Sequence, residues 1–122
     1  MSNKLFIIIS GVMGFSAVAL GAFGAHGLKN ILTEQLLETY KTGILYHLIH
    51  SVTLLTIAIA GKINFIKSFW LFFTGIILFS FSLYIYSITQ VLFFAMITPF
   101  GGIFLLLGWL FLIIEGIKKD KA

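Results

Sequence analysis

The sequence has no cysteine, which excludes disulfides, thiol catalysis and thiolate-bound metal. It has no arginine either. All eight basic residues are lysines, so the bidentate reading of phosphates and bases is not available, and their scatter leaves no nucleic-acid footprint. Charge of any sign is scarce, at 10% of 122 residues, and proline occurs once, at Pro99. Against these shortages stand a hydrophobic fraction of 60% and a mean hydropathy of +1.12. A water-soluble domain of this length exposes much of its surface and could not conceal so much apolar area. The composition predicts a single transmembrane domain over residues 1–122, with membrane lipid as its first partner. The net charge of +4 reads as orientation and contact with anionic lipid.

Leu5 to Ala25 is uncharged and, at about 1.5 Å per residue, long enough to cross a hydrocarbon core of roughly 30 Å. A secretory signal peptide is the rival reading, since Lys4 precedes the run and GAFGA offers small residues for cleavage. The run exceeds the apolar region of about 7 to 15 residues that such a peptide carries. Thr42 to Gly61 forms a second span. Ser68 to Ile114 carries no formal charge and is too long for one crossing, so it must fold back. Ser87, Ile88, Thr89 and Gln90 divide it, whereas a break at Pro99 to Gly102 would leave too short a remainder. The fold class is therefore all-α, an integral membrane four-helix bundle with spans about 5–25, 44–61, 68–87 and 91–114.

Orientation follows from the lysines. Lys4, Lys62, Lys67, Lys118, Lys119 and Lys121 fall on one side, while Lys29 and Lys41 fall on the other, offset by Glu34 and Glu38. This bias predicts a multi-pass protein of the bacterial cytoplasmic membrane with both termini in the cytoplasm. Trp70 and Trp109 then sit near cytoplasmic ends as interfacial anchors, and the phenylalanines, Phe72 among them, are expected mostly to face lipid or pack loosely. Between the first two spans, Thr33 is a helix cap. Counting at 100° per residue from it puts Leu36, Leu37, Tyr40, Ile44, His47 and Leu48 on one side and Glu34, Gln35, Glu38, Thr39, Lys41 and Thr42 on the other. This predicts a short amphipathic interfacial helix, with Gly43 as a hinge into the second span.

Two glycine-rich stretches interrupt the apolar runs. GAFGAHG, residues 21 to 27, is spaced G-x-x-G-x-x-G after an uninterrupted helix, which is not the G-x-G-x-x-G that follows a strand in a dinucleotide loop. In lipid, small residues serve close helix packing. Ala17, Gly21 and Ala25 repeat every four residues, with Gly14 one heptad before Gly21, so they form a packing stripe; Gly24 and Gly27 loosen the helix at its exit. In ITPFGG, residues 97 to 102, Pro99 leaves the Ala95 carbonyl unpaired, and Gly101 with Gly102 admits a neighbouring backbone. The segment reads either as a packed kink or as an unwound stretch lining a small cavity, where Thr98 supplies an oxygen.

His26, His47 and His50 are the candidate site residues, all toward the outer half. His47 and His50 are three apart on one helix and form a polar cluster with Tyr46, while His26 ends the neighbouring helix. Interhelical hydrogen bonds to Tyr46, Tyr84 or Tyr86 would satisfy these rings. Three imidazoles also suit a transition metal, a proton or ligand site, or haem. The spans offer no carboxylate to complete or orient a metal site, so structural bonding is the favoured reading and no cofactor or catalytic residue is expected.

These segments resemble a known family. GAFGAHGL at 21–28, YKTGILYHLIHS at 40–51, FSFSLY at 79–84, ITPFGG at 97–102 and GW at 108–109 are similar to domain of unknown function 423, also called uncharacterised protein family 0382 and akin to eukaryotic transmembrane protein 256. Phe81 stands where that family usually has glycine or another small residue. The resemblance implies a four-helix plasma-membrane protein and carries no activity with it. With no paired carboxylates, no activated nucleophile and no complete metal set, the sequence reads as a non-enzymatic membrane protein acting by helix or lipid association, alone, with a second copy or with another membrane protein. A small transporter or channel, or a His-ligated metal protein, is the alternative; Leu5 to Ala25 lacks the carboxylate that small proton-coupled exporters carry in their first helix.

Overall fold

With no water in a hydrocarbon layer to satisfy N–H and C=O groups, an apolar chain must pair its backbone within itself. The computed structural model describes residues 3–118, and every long run in it is helical. Lys119 and Lys121, counted above in the charge bias, lie outside the described residues. The first helix is Asn3–Gly27, the second Glu34–Ala60, the third runs without a break from Ile63 to Thr89, and the fourth is Leu92–Ile117. All four are long and apolar enough to cross a membrane. Hydroxyls inside them are silenced by their own helix: Ser10, Ser51, Thr56 and Ser87 each donate to the carbonyl four residues earlier, at 2.7 to 2.9 Å.

The turns have local causes. Thr33 caps the second helix, its hydroxyl accepting from the Leu36 amide. Gly61 ends that helix in the left-handed conformation, φ 64°, which costs glycine nothing, and its N–H reaches the Ile57 carbonyl. Gln90 adopts the same conformation between the third and fourth helices, φ 57°, with its N–H on the Tyr86 carbonyl at 2.7 Å. The polar tetrad 87–90 therefore marks the fold-back, although the helices run further than the spans read from the sequence.

The separate amphipathic helix does not exist. Residues 34–43 are the opening turns of a single, mainly apolar helix that continues to Ala60, and Gly43 does not act as a hinge. Its missing side chain is used sideways instead: a β-carbon there would lie 2.7 Å from the Tyr84 ring and 3.2 Å from the Ser80 carbonyl. A helix held on its flank by a neighbour has no reason to break at a glycine.

The first helix packs on the second, the second on the third and the third on the fourth. The core gathers Phe6, Met13, Leu54, Phe69, Phe72 and Leu105 from all four. Phe72, expected at the exterior, is wholly buried: its ring meets Trp109 at 5.0 Å, and Gly108 has no side chain to keep it out. The outside is apolar, with Phe15, Ile31 and Leu106 each more than 70% exposed, a surface that only lipid or another apolar protein accommodates. In the third helix an α segment to Ile76 gives way to a π turn, Ile77–Phe81, before the α geometry resumes at Ser82. Against that turn sits Gly101, where a β-carbon would come within 2.6 Å of the Leu78 carbonyl carbon and the Phe79 Cα.

Candidate functional site: a histidine-centred polar network

His47 and His50 share the inward face of the second helix, both buried, and each reaches out to other helices. His47 Nδ1 lies 2.8 Å from the Tyr84 hydroxyl on the third helix, and its Nε2 lies 3.2 Å from Ser16 Oγ on the first. Ser16 Oγ also lies 3.0 Å from the Met13 carbonyl of its own helix. At His50 the donor types fix the directions. The Trp109 indole, a donor only, gives its N–H to His50 Nε2 at 3.0 Å, and His50 Nδ1–H donates to the Tyr46 carbonyl at 2.7 Å. The two histidines thus tie the second helix to the other three.

Aromatic rings fill the space around them. Phe81 stacks obliquely on His47 at 5.3 Å and Tyr84 edges onto Phe81 at 5.5 Å, so this phenylalanine packs beside the histidine. Tyr40 lies against Tyr84 at 5.0 Å and gives its hydroxyl proton to the Leu20 carbonyl. Ser82 and Thr98 share a hydrogen bond of 2.6 Å between the third and fourth helices. Among the described residues, Ser80 Oγ in the π turn is the buried side-chain polar atom left without a partner.

The sequence candidates do not all converge. His26 is exposed at the end of the first helix, about 15 Å beyond Ser16 along that axis. Among the described residues, no three of His, Asp, Glu or Cys stand together as a metal site would require. Tyr46 contributes its carbonyl, while its ring lies over His50. Of the small residues, Ala17 and Gly24 are buried and Gly21 faces Ile44, which a β-carbon would meet at 3.4 Å. Gly14 faces open space and Ala25 is exposed. The reason is rotation: a four-residue step turns 40° past a full circle at 100° per residue, while the buried positions Ser10, Ala17 and Gly24 keep a heptad. Gly24 and Gly27 do not loosen the first helix, which extends through Gly27, and Gly24 receives the Tyr40 ring. The fourth helix is likewise not unwound at Pro99: it is helical from Leu92 to Ile117, with Thr98 also bonded to the Phe94 carbonyl. Gly101 is buried, and Gly102 is half-buried with the Phe79 ring 3.8 Å from where its β-carbon would be.

Sequence reasoning missed Ser16, Trp109, Gly43, Gly75 and Gly108. Ser16 is a hydroxyl in an otherwise apolar stretch, and Gly43 stands four residues before His47 on the same face. Trp109 was expected as an interfacial anchor. It lies instead at the level of His50, some ten residues or about 15 Å inside the end of the second helix, with its N–H committed to the imidazole. Replacing Trp109 by Phe keeps an aromatic ring, smaller than the indole, and removes the donor. Combined with His50→Leu in a double-mutant cycle in detergent, it is expected to show a coupling of about 0.6 kcal/mol, and at most about 1.7 kcal/mol. Strict additivity would mean that the bond contributes nothing.

Four apolar helices closed around a satisfied histidine–aromatic interior define a small helical membrane protein. The chain belongs to the family described as protein of unknown function DUF423, whose model matches residues 20–102. It is 41% identical over 120 residues to the UPF0382 membrane protein YwdK of Bacillus subtilis, covering 94% of this chain and 98% of that protein. It is 42% identical over 118 residues to the UPF0382 membrane protein SSP2132 of Staphylococcus saprophyticus, and 41% identical over the same length to SAB0533 of Staphylococcus aureus; each match covers 94% of this chain and 98% and 97% of those proteins. No solved structure matches it.

Proposed function

We propose that this chain is a non-enzymatic multi-pass protein of the bacterial cytoplasmic membrane, with both termini in the cytoplasm, that acts through association with lipid and with other membrane helices, its own copies included. The observation that carries this reading is the direction of its polar groups. His47, His50, Tyr84, Ser16 and Trp109 spend their donors and lone pairs on one another and on helix carbonyls, so the protein offers its surroundings an apolar exterior rather than a reactive group. A metal would have to displace Tyr84 or Ser16 from His47, or Trp109 from His50, to reach a ring lone pair. Orientation is supported by Lys4, Lys62, Lys67 and Lys118 at one end of the bundle and Lys29 and Lys41 at the other, where Glu38 pairs with Lys41 at 3.6 Å.

Extraction in mild detergent is expected to bring lipid or membrane partners in fixed proportion to the chain, without metal or visible absorbance. A chain that purifies free of both and yet carries protons or solute across a vesicle wall would replace this reading with transport. The absence of native cysteine makes the topology directly measurable. A cysteine at Asn30 should react with an impermeant reagent in intact cells and one at Asn64 should not; the reverse pattern inverts the orientation.

A further inference from the structure

At the lysine-rich end, a cavity of about 680 Å³ opens between the third and fourth helices, lined by Asn64, Lys67, Trp70, Leu71, Thr74 and Phe111 among others. Its charges are asymmetric. Glu115, which also lines it, is already committed on both oxygens: Lys118 Nζ lies 2.8 Å from Oε1, and Asn64 donates to Oε2 at 3.2 Å. Lys67 is not part of that arrangement. Its Nζ lies 4.7 Å from the centroid of the Phe111 ring, and no carboxylate among the described residues is within ion-pair distance. Trp70 is 40% exposed and carries its indole one helical turn further in. From Asn64 to Thr74 the wall is ten residues long, about 15 Å, which is one leaflet of a hydrocarbon core of roughly 30 Å. The grooves between the second and fourth helices, of about 350 and 370 Å³, hold no charged residue.

We propose that this groove is a site for one anionic phospholipid, with the phosphate at Lys67 and an acyl chain laid along Trp70, Leu71, Thr74 and Phe111. The one lysine that lines the groove at the headgroup level, an amphipathic indole below it and an apolar trough one leaflet deep match the three parts of such a lipid in order. The proposal rests on the lipid-association reading above and names the lipid class.

The test uses the full chain in nanodiscs of equal phosphatidylglycerol and phosphatidylcholine, transferred to detergent, with retained lipid counted by mass spectrometry. Wild type should keep one phosphatidylglycerol with roughly five-fold preference, the factor that one lysine supplies near an anionic surface. Lys67→Gln should erase the preference, Leu71→Trp should displace the lipid of either class by filling the trough, and Lys41→Gln at the opposite end should change nothing. Wild type in about 1 M salt, where charges are screened beyond roughly 3 Å, should lose the preference without any substitution. A preference that survives Lys67→Gln or high salt, or retention unaffected by Leu71→Trp, overturns the site. Wild type that keeps lipid without distinguishing the two overturns the site alone; wild type that keeps none overturns the lipid-association reading with it.

Discussion

Gly101→Ala is expected to part the third and fourth helices. The added methyl would fall within 2.6 Å of the Leu78 carbonyl carbon and the Phe79 Cα, and these are backbone atoms of the π turn that cannot rotate aside. The helices would have to separate, and the neighbouring contacts are as intolerant of it: Leu105 lies over Gly75, the Phe72 ring over Gly108, and Ser68 donates to the Gly108 carbonyl at 3.0 Å. Dispersion falls steeply with a gap of an ångström, and in lipid it is much of what holds two helices together. The loss should reach or exceed the upper end of the ~1–3 kcal/mol typical of overpacking. It is read as lost expression or a lower melting temperature in detergent. Gly102→Ala, with only the Phe79 ring at 3.8 Å, and Gly116→Ala, with nothing near, are the controls and should be silent or slightly stabilising. Equal melting of Gly101→Ala and Gly102→Ala would mean that the two helices do not meet there.

The second large effect is expected at Phe72→Ala. The side chain is fully buried between His50, Trp109 and Gly108, so its removal leaves a void and strips the packing from the His50–Trp109 bond at once. In a water-soluble core Phe→Ala costs about 3–5 kcal/mol. Here the transfer part shrinks, because a phenyl ring released into lipid is still in an apolar medium, and the cavity part remains. About 2 kcal/mol or more is expected from reversible unfolding in mixed micelles, against less than about 0.5 kcal/mol for Phe15→Ala at the 79% exposed position on the first helix. If the two substitutions cost the same, Phe72 does not belong to the core.

Both sites show what hydropathy leaves out. Phe15 and Phe72 both stand in apolar runs, and in a membrane the inside and outside of a bundle are equally apolar, so the hydropathy of a phenylalanine does not tell which face it takes. In a soluble helix the same residues would have been separated by polar neighbours. Likewise the glycines at 21 and 24 look alike in GAFGAHG, and only the arrival of the Tyr40 ring distinguishes the second from the first. His47 and His50 were legible as a pair needing partners, because buried polar groups in lipid must be satisfied, whereas His26, grouped with them by residue type, stands apart. Tyr84 was among the partners expected, but Ser16 and Trp109 are 31 and 59 residues away along the chain, and no local spacing connects them.

The sequence by itself determined the number of membrane-spanning helices, the fold-back near Gln90, the Thr33 cap and the exclusion of thiol and arginine chemistry, because each depends on run length, charge or residue type alone. Tertiary structure decided the rest. It merged the opening turns of residues 34–43 into the second helix, placed Gly101 against the π turn, drew Phe72 inward and chose the partners of His47 and His50. Those features depend on how far each helix is rotated about its axis. In an apolar solvent that rotation is set by shape and by the few hydrogen bonds between helices, which no single helix carries within itself.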